Sequence, residues 1–372
     1  MALDAGSDTV LTIEADTAVS TVSLPEVVDV QKYNRSIHVM AMLLVGFGFL
    51  MVFVKKYGLS AVTATYLLVS TAIPLYMLIK SWGIFGEAGE IDIDKLILAE
   101  FAAAALLICA GAVLGRLKMM QYIILGVLFI PCYMLNEWLV LETFVKGFVD
   151  TGGSIVIHAF GAFFGLGVLL TMTTKKELDT EIESDMTSDR FSLLGSMVLW
   201  VFWPSFCGAI VEPALVPKTA INVILALSGS TLATYFVSVG LRRKICIADI
   251  ANAALAGGVA IGSTCDIASP TVAFVIGVLA GAVSVFGFAV IQEKLQAKIK
   301  GIDTCGVMYL HGLPGLLGGV AAMFVCKGIM PVQLKGIGIS IVVAVVAGFI
   351  AGKLLSIFGR RTEPYVDAEE IE

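Results

Sequence analysis

Along the chain, uncharged apolar windows near 20 residues recur between short polar breaks, and about 20 residues is what an α-helix needs to cross roughly 30 Å of hydrocarbon. The pattern predicts eleven helices, near 38–56, 60–81, 94–115, 119–141, 152–173, 191–212, 219–241, 247–264, 271–293, 304–325 and 335–358. The expected fold class is all-α, a polytopic membrane protein. Basic residues sort the loops. Lys55, Lys56, Arg116, Lys118, Lys175, Lys176, Arg190, Arg242, Arg243, Lys244, Arg360 and Arg361 fall on one alternating set, which the excess of positive charge assigns to the cytoplasm. Opposite loops such as Gly86 to Asp92 are acidic or nearly uncharged, while Lys327 and Lys335 dissent. Eleven spans then place the N-terminus outside and the C-terminus inside.

Composition agrees with this reading. Of 372 residues, 58% are hydrophobic and 15% charged, with a mean hydropathy of +0.94, which excludes an ordinary water-soluble enzyme. The net charge of −6 sits mostly in the two tails and the 175–190 loop and argues against a nucleic-acid partner. Seven cysteines without CxxC spacing suggest neither a zinc site nor a disulfide framework, and no cofactor is expected. The chain divides into an acidic extracytoplasmic tail at 1–37, a transmembrane domain at 38–358 and a short cytoplasmic tail at 359–372. The first tail lacks a signal-peptide pattern and is expected to be poorly ordered. The sequon Asn34-Arg35-Ser36 lies too near the first span to be read as used.

Two segments 153 residues apart share a pattern. Asp150 and Asp303 are each followed by Thr, by Gly at the third position, by His at the eighth (His158, His311) and by Gly at the fifteenth (Gly165, Gly318). The charge topology makes the first helix enter from outside and the second from inside, so the repeat is inverted. Two inverted five-helix halves, 38–173 and 191–325, with 335–358 as a final extra helix, form an architecture of transport proteins with a site at the midplane.

Within this frame, His158 falls about 10 Å below the outer membrane surface at 1.5 Å per residue, where an ionisable ring faces a cavity or a partner. Asp150 can cap the unpaired N–H groups that open its helix. Phe101 and Phe206 lie at a similar depth in the third and sixth spans, where aromatic faces can stabilise a desolvated cation and obstruct hydrated ions. Glu137 and Trp138 end the fourth span, as a vestibule carboxylate and an interfacial ring. No nucleophile–base pair, phosphate loop or metal-ligand cluster marks an enzyme.

The segments HVMAMLLVGFGFLMVF (38–53), AEFAAAALLICAGAVLGRLK (99–118), NEW (136–138), DTGGSIVIHAFGAFFGLG (150–167), LWVFWPSF (199–206), DIANAALAGGVAIG (249–262) and DTCGVMYLHGLPGLLGG (303–319) together resemble the ammonium transporter and Rhesus glycoprotein superfamily, and more closely its Rhesus branch. The resemblance implies a homotrimer in the membrane lipid, one pore per subunit, conducting ammonium or ammonia, with carbon dioxide as a further candidate. It would make Phe101 and Phe206 a stacked phenyl gate, Asp150 a structural acid, His158 the first pore histidine and Glu137 a vestibule acid. On the expected family register, Met308 stands where the second pore histidine belongs, and His311 is a supporting residue one turn away. The internal repeat instead pairs His158 with His311. A thioether donates no proton, so Met308 would impair a proton relay more than the passage of neutral ammonia. Two readings follow: a Rhesus-type ammonia channel, or a non-conducting structural or sensing relative that has lost transport.

Overall fold

The computed structural model describes residues 10–15, 18–86 and 88–372. Eleven helices are long and apolar enough to cross a membrane: α1 Pro25–Phe53, α2 Gly58–Ser81, α3 Ile93–Ala112, α4 Met119–Thr143, α5 Ser154–Met172, α6 Met186–Cys207, α7 Pro213–Arg242, α8 Ile247–Thr264, α9 Pro270–Ile299, α10 Met308–Val325 and α11 Met330–Ser356. All eleven expected spans are present. The first begins earlier than 38, because residues 25–37 are too polar for a hydropathy window yet hold a helix against α3, through Lys32 to Asp94 at 2.7 Å and Ser36 to Glu100 at 2.5 Å. The sixth is shifted, starting where the Asp185 carboxylate caps the N–H groups of Thr187 and Ser188.

The N-terminal tail departs from expectation. Its described part forms an antiparallel pair, β1 Val10–Ala15 with β2 Ala18–Ser23, in register Val10 to Ser23. Residues 1–9, 16 and 17 of that tail, and Glu87 of the acidic loop, lie outside the described residues. Asn34 of the sequon sits within α1, and Ser36, its hydroxyl residue, is committed to Glu100.

Burial ranks the helices. The apolar windows of α3, α5 and α8 are 83%, 78% and 78% buried, against 33% for α11, so the first three form the centre and α11 the periphery. Small residues permit this closeness. A Cβ on Gly161 of α5 would stand 2.5 Å from the Ala105 carbonyl of α3, and one on Gly318 of α10 would run into the Ala260 carbonyl of α8. Thus α5 packs on α3 as α10 packs on α8, the pairing that two five-helix halves require.

The loops before α5 and α10 lock the halves together. Gly152 N–H donates to the Gly262 carbonyl at the end of α8 (2.7 Å), while Cys305 and Thr304 donate to the Gly111 and Ala112 carbonyls at the end of α3 (3.1 and 3.2 Å). Each half therefore closes its entry turn on a helix of the other.

Candidate functional site

The site begins with two capping acids. Asp150 accepts the N–H of Ile155 (3.0 Å) and Val156 (2.8 Å) and the Ser263 hydroxyl (2.5 Å); Asp303 accepts those of Val307 and Met308, both at 2.9 Å. Three residues after each acid a glycine turns left-handed, Gly153 at φ 73° and Gly306 at φ 67°, a conformation that a Cβ would strain. Each helix then opens with a widened π-helical stretch, Ser154–Ala159 and Met308–Gly312, of the kind frequent at functional sites. In both, the N–H two residues past the histidine donates five residues back, Phe160 to Ile155 and Leu313 to Met308.

That equivalence corrects the expected role of Met308. Its counterpart in the first half is Ile155, whereas the counterpart of His158 is His311. The two imidazoles face each other with ring centroids 5.3 Å apart and planes 10° from parallel. The Met308 side chain instead lies along its own helix toward Gly312. His311 is not a supporting residue one turn removed, because both rings stand eight residues beyond their capping acids.

The rings continue in both directions. His158 lies 5.5 Å from Trp203 and 5.9 Å from Phe206, and His311 lies 6.2 Å from Phe47. Beyond His158, Phe101 and Phe206 meet at 4.6 Å with planes tilted by 52°. The expected contact is present but tilted, not stacked in parallel, which suits the ring quadrupoles better than a face-to-face sandwich. All these rings are buried. Both nitrogens of His158 and Nδ1 of His311 have no hydrogen-bond partner within the protein. A buried polar group left so costs about 1–3 kcal/mol, and it is a group that requires an explanation.

A cavity reaches this column from the face that carries the C-terminal tail. Its outer part, about 250 Å³, is lined by Phe53, Asp189, Ser192, Asn252, Gln292 and Thr304 among others. It narrows to about 20 Å³ past Phe47, Leu107, Ile108, Gly111 and Leu310 and ends on His311, with Phe53, Asn252 and Cys305 bordering both parts. Both parts are lined mainly by apolar atoms, the outer one carrying the polar side chains of Asp189, Ser192, Gln292 and Thr304 as well.

Glu137 and Trp138 do not join the column. Glu137 is 6% exposed and accepts the Tyr76 hydroxyl at 2.6 Å, so it is buried and already hydrogen-bonded, not open at a mouth. Trp138 is half-buried beside Phe85, 6.4 Å away. Sequence reasoning missed Phe47 and the lining role of Asn252 and Cys305; Trp203 was visible only as a neighbour of Phe206 in LWVFWPSF.

The sequence model of the Ammonium Transporter Family matches residues 26–370. Ammonium transporter Rh type A of Bos taurus is 38% identical over 379 residues, covering 93% of this chain and 86% of the relative. Rh type B of Homo sapiens is 38% identical over 325 residues, covering 85% and 70%. Among solved structures, Nitrosomonas europaea Rh50, described with the mechanism of conduction by the Rhesus family of channels, is 56% identical with a TM-score of 0.93, covering 94% of this chain and 93% of that one. A sensor Amt protein, 17% identical, shares the fold with a TM-score of 0.80 over 90% and 95% of the two chains. With eleven apolar helices around one ring-lined column, the chain is a multi-pass membrane protein and belongs to the ammonium transporter family, among its Rh-type members.

Proposed function

We propose that each subunit conducts ammonia along the column from the Phe101–Phe206 pair past His158 and His311 to the cavity on the tail face. The facing pair of imidazoles carries this reading: three buried ring nitrogens without protein partners sit in an otherwise apolar passage, offering hydrogen bonds to a small polar molecule. A bare cation pays several kcal/mol to leave water even after relaxation, so ammonium gives up its proton to bulk water outside the phenyl pair, and the neutral ammonia passes. Carbon dioxide, small and uncharged, meets the same physical criterion. The alternative of a non-conducting relative rested on a lost second histidine, and His311 removes that ground.

Orientation and assembly complete the reading. Lys56, Arg116, Lys176, Arg360 and Arg361 gather with the C-terminal tail on one face, which the positive-inside rule makes cytoplasmic. The subunit is proposed to assemble as a homotrimer, as the Rhesus resemblance implies, with one passage per subunit.

Stopped-flow pH measurement on proteoliposomes tests the reading. An inward ammonia gradient should alkalinise the lumen faster than in protein-free vesicles, while capacitive currents on supported membranes stay near background. Vesicle traces indistinguishable with and without protein would refute conduction; large ammonium-dependent currents would refute neutral passage.

A further inference from the structure

Helix α1 contributes two polar side chains that the conduction path does not use. The Ser36 hydroxyl, 3% exposed, donates to Oε1 of the fully buried Glu100 at 2.5 Å. His38 Nδ1 shares a hydrogen bond of 2.9 Å with the Ser205 hydroxyl, and its ring stacks on Phe202 at 4.8 Å. Glu100 immediately precedes Phe101, and Ser205 immediately precedes Phe206. One helix thus holds the residue next to each phenyl of the pair.

Helical geometry explains how. Residues two apart on an α-helix point roughly 200° apart at 3.6 residues per turn, so Ser36 and His38 reach neighbours on opposite sides. Those neighbours are α3 and α6, both packed against α1, while α3 and α6 touch each other sparsely. The gap between the phenyl rings is therefore spanned less by direct α3–α6 packing than by α1 between them. The second oxygen of Glu100 has no partner in the protein, so the Ser36 bond anchors this carboxyl from α1.

We infer that Ser36 and His38 are positioning residues that set the spacing and stiffness of the Phe101–Phe206 constriction, and through it the size selectivity of the passage. The inference rests on the conduction reading above. With both bonds in place the rings part only far enough for ammonia; with either released, α3 and α6 drift and a larger amine gains entry. Serine and histidine suit the task because each hydrogen-bonds from a short side chain, and the Ser36 bond is fully buried, where no water competes with it.

The test compares ammonia with methylamine in the same proteoliposomes. An added methyl group is discriminated in a tight apolar site by about tenfold or more, so Ser36→Ala and His38→Ala should each raise the methylamine-to-ammonia permeability ratio by roughly threefold or more, a partial loss of that discrimination. Ser36→Thr, which keeps the hydroxyl, should restore the wild-type ratio. Glu100→Gln, whose amide oxygen still accepts from Ser36, should leave the ratio near wild type. His38→Ala strands no carboxyl, so it reads out the α6 arm even where Ser36→Ala fails to fold. Both permeabilities scaled down equally, with the ratio unchanged, would mean a merely structural role and overturn the inference, as would Ser36→Thr behaving like Ser36→Ala. A wild-type protein without ammonia flux overturns the conduction reading itself, a distinguishable result.

Discussion

The turn from Asp150 to His158 and the turn from Asp303 to His311 are the same backbone device set in opposite halves. Each has a capping carboxylate, a left-handed glycine, a widened helical start and a histidine eight residues on. Their surroundings differ. Asp150 gains a third partner in Ser263, and its histidine faces the tilted phenyl pair. Asp303 sits beside Arg116, whose guanidinium donates to the Ile302 carbonyl at 2.6 Å, and its histidine ends the apolar neck of the wider cavity. Duplication thus supplies a symmetric centre, and the helices around it make one side a tight phenyl contact and the other a wider cavity with some polar side chains at its rim. On the proposed conduction reading, selectivity would belong to one end of the passage, while the imidazoles in the middle would serve both directions alike.

The sharpest break of this comparison is at the histidines. If the two rings are equivalent, His158→Ala and His311→Ala should each reduce ammonia flux about tenfold or more, the equivalent of about 1.4 kcal/mol at the barrier. Met308→Leu should stay within about twofold, because a volume-conserving exchange of this kind is well tolerated. Stopped-flow rates on equal amounts of reconstituted protein decide it. Met308→Leu losing as much flux as His311→Ala would return the second position to Met308.

Stability of the capping acids comes next. Asp150 serves three donors and Asp303 two, and each buried donor left unpaired costs about 1–3 kcal/mol. Asp150→Ala should therefore lower the thermal midpoint of the detergent-solubilised protein more than Asp303→Ala. Tryptophan fluorescence on heating, with monodispersity as the control, measures both. The reverse order would show that the field of Arg116 outweighs the count of donors.

Much of this was legible before the structure. Span number and the repeat of Asp150 and His158 in Asp303 and His311 follow from local pattern, because lipid demands long apolar helices and a capping acid fixes the register after it. The repeat spacing already pointed to His311; preferring an expected family register over that spacing produced the Met308 assignment. Other features have no local signature. Phe47 is one of 21 phenylalanines, and only the three-dimensional path of α1 brings it to His311. Residues 25–37 read as tail because their polar side chains are satisfied by distant partners such as Glu100 and Asp94. Glu137 read as a vestibule acid because its sequence position does not reveal Tyr76.

The smallest expected effect separates the two faces. On the tail face an acidic strap caps two helix starts: Asp367 accepts the N–H of Ser60 (2.8 Å) and Leu59 (3.1 Å) at the start of α2, and Glu370 accepts that of Met119 (3.1 Å) at the start of α4. Arg361 ties the strap together, pairing with Glu370 at 2.5 Å and lying over the Tyr57 ring at 5.3 Å. Desolvation alone would raise the Glu369 carboxyl, but the N–H groups of Thr362 and Glu363, the Thr362 hydroxyl and Arg361 hold it below its ordinary 4.5. A carboxyl with a depressed folded pKa stabilises the docked strap fully above its unfolded value and loses that contribution as pH falls through the folded one. The strap should therefore stay docked at neutral pH and loosen only below 4.5. A spin label at Ile371→Cys, with the unsubstituted protein as labelling blank, should give an immobilised spectrum at neutral pH and a growing mobile fraction in acid, and Glu369→Gln should blunt that acid step. Mobility that rises with increasing pH would contradict the assignment, because no group that holds the strap through its negative charge can be released by losing a proton.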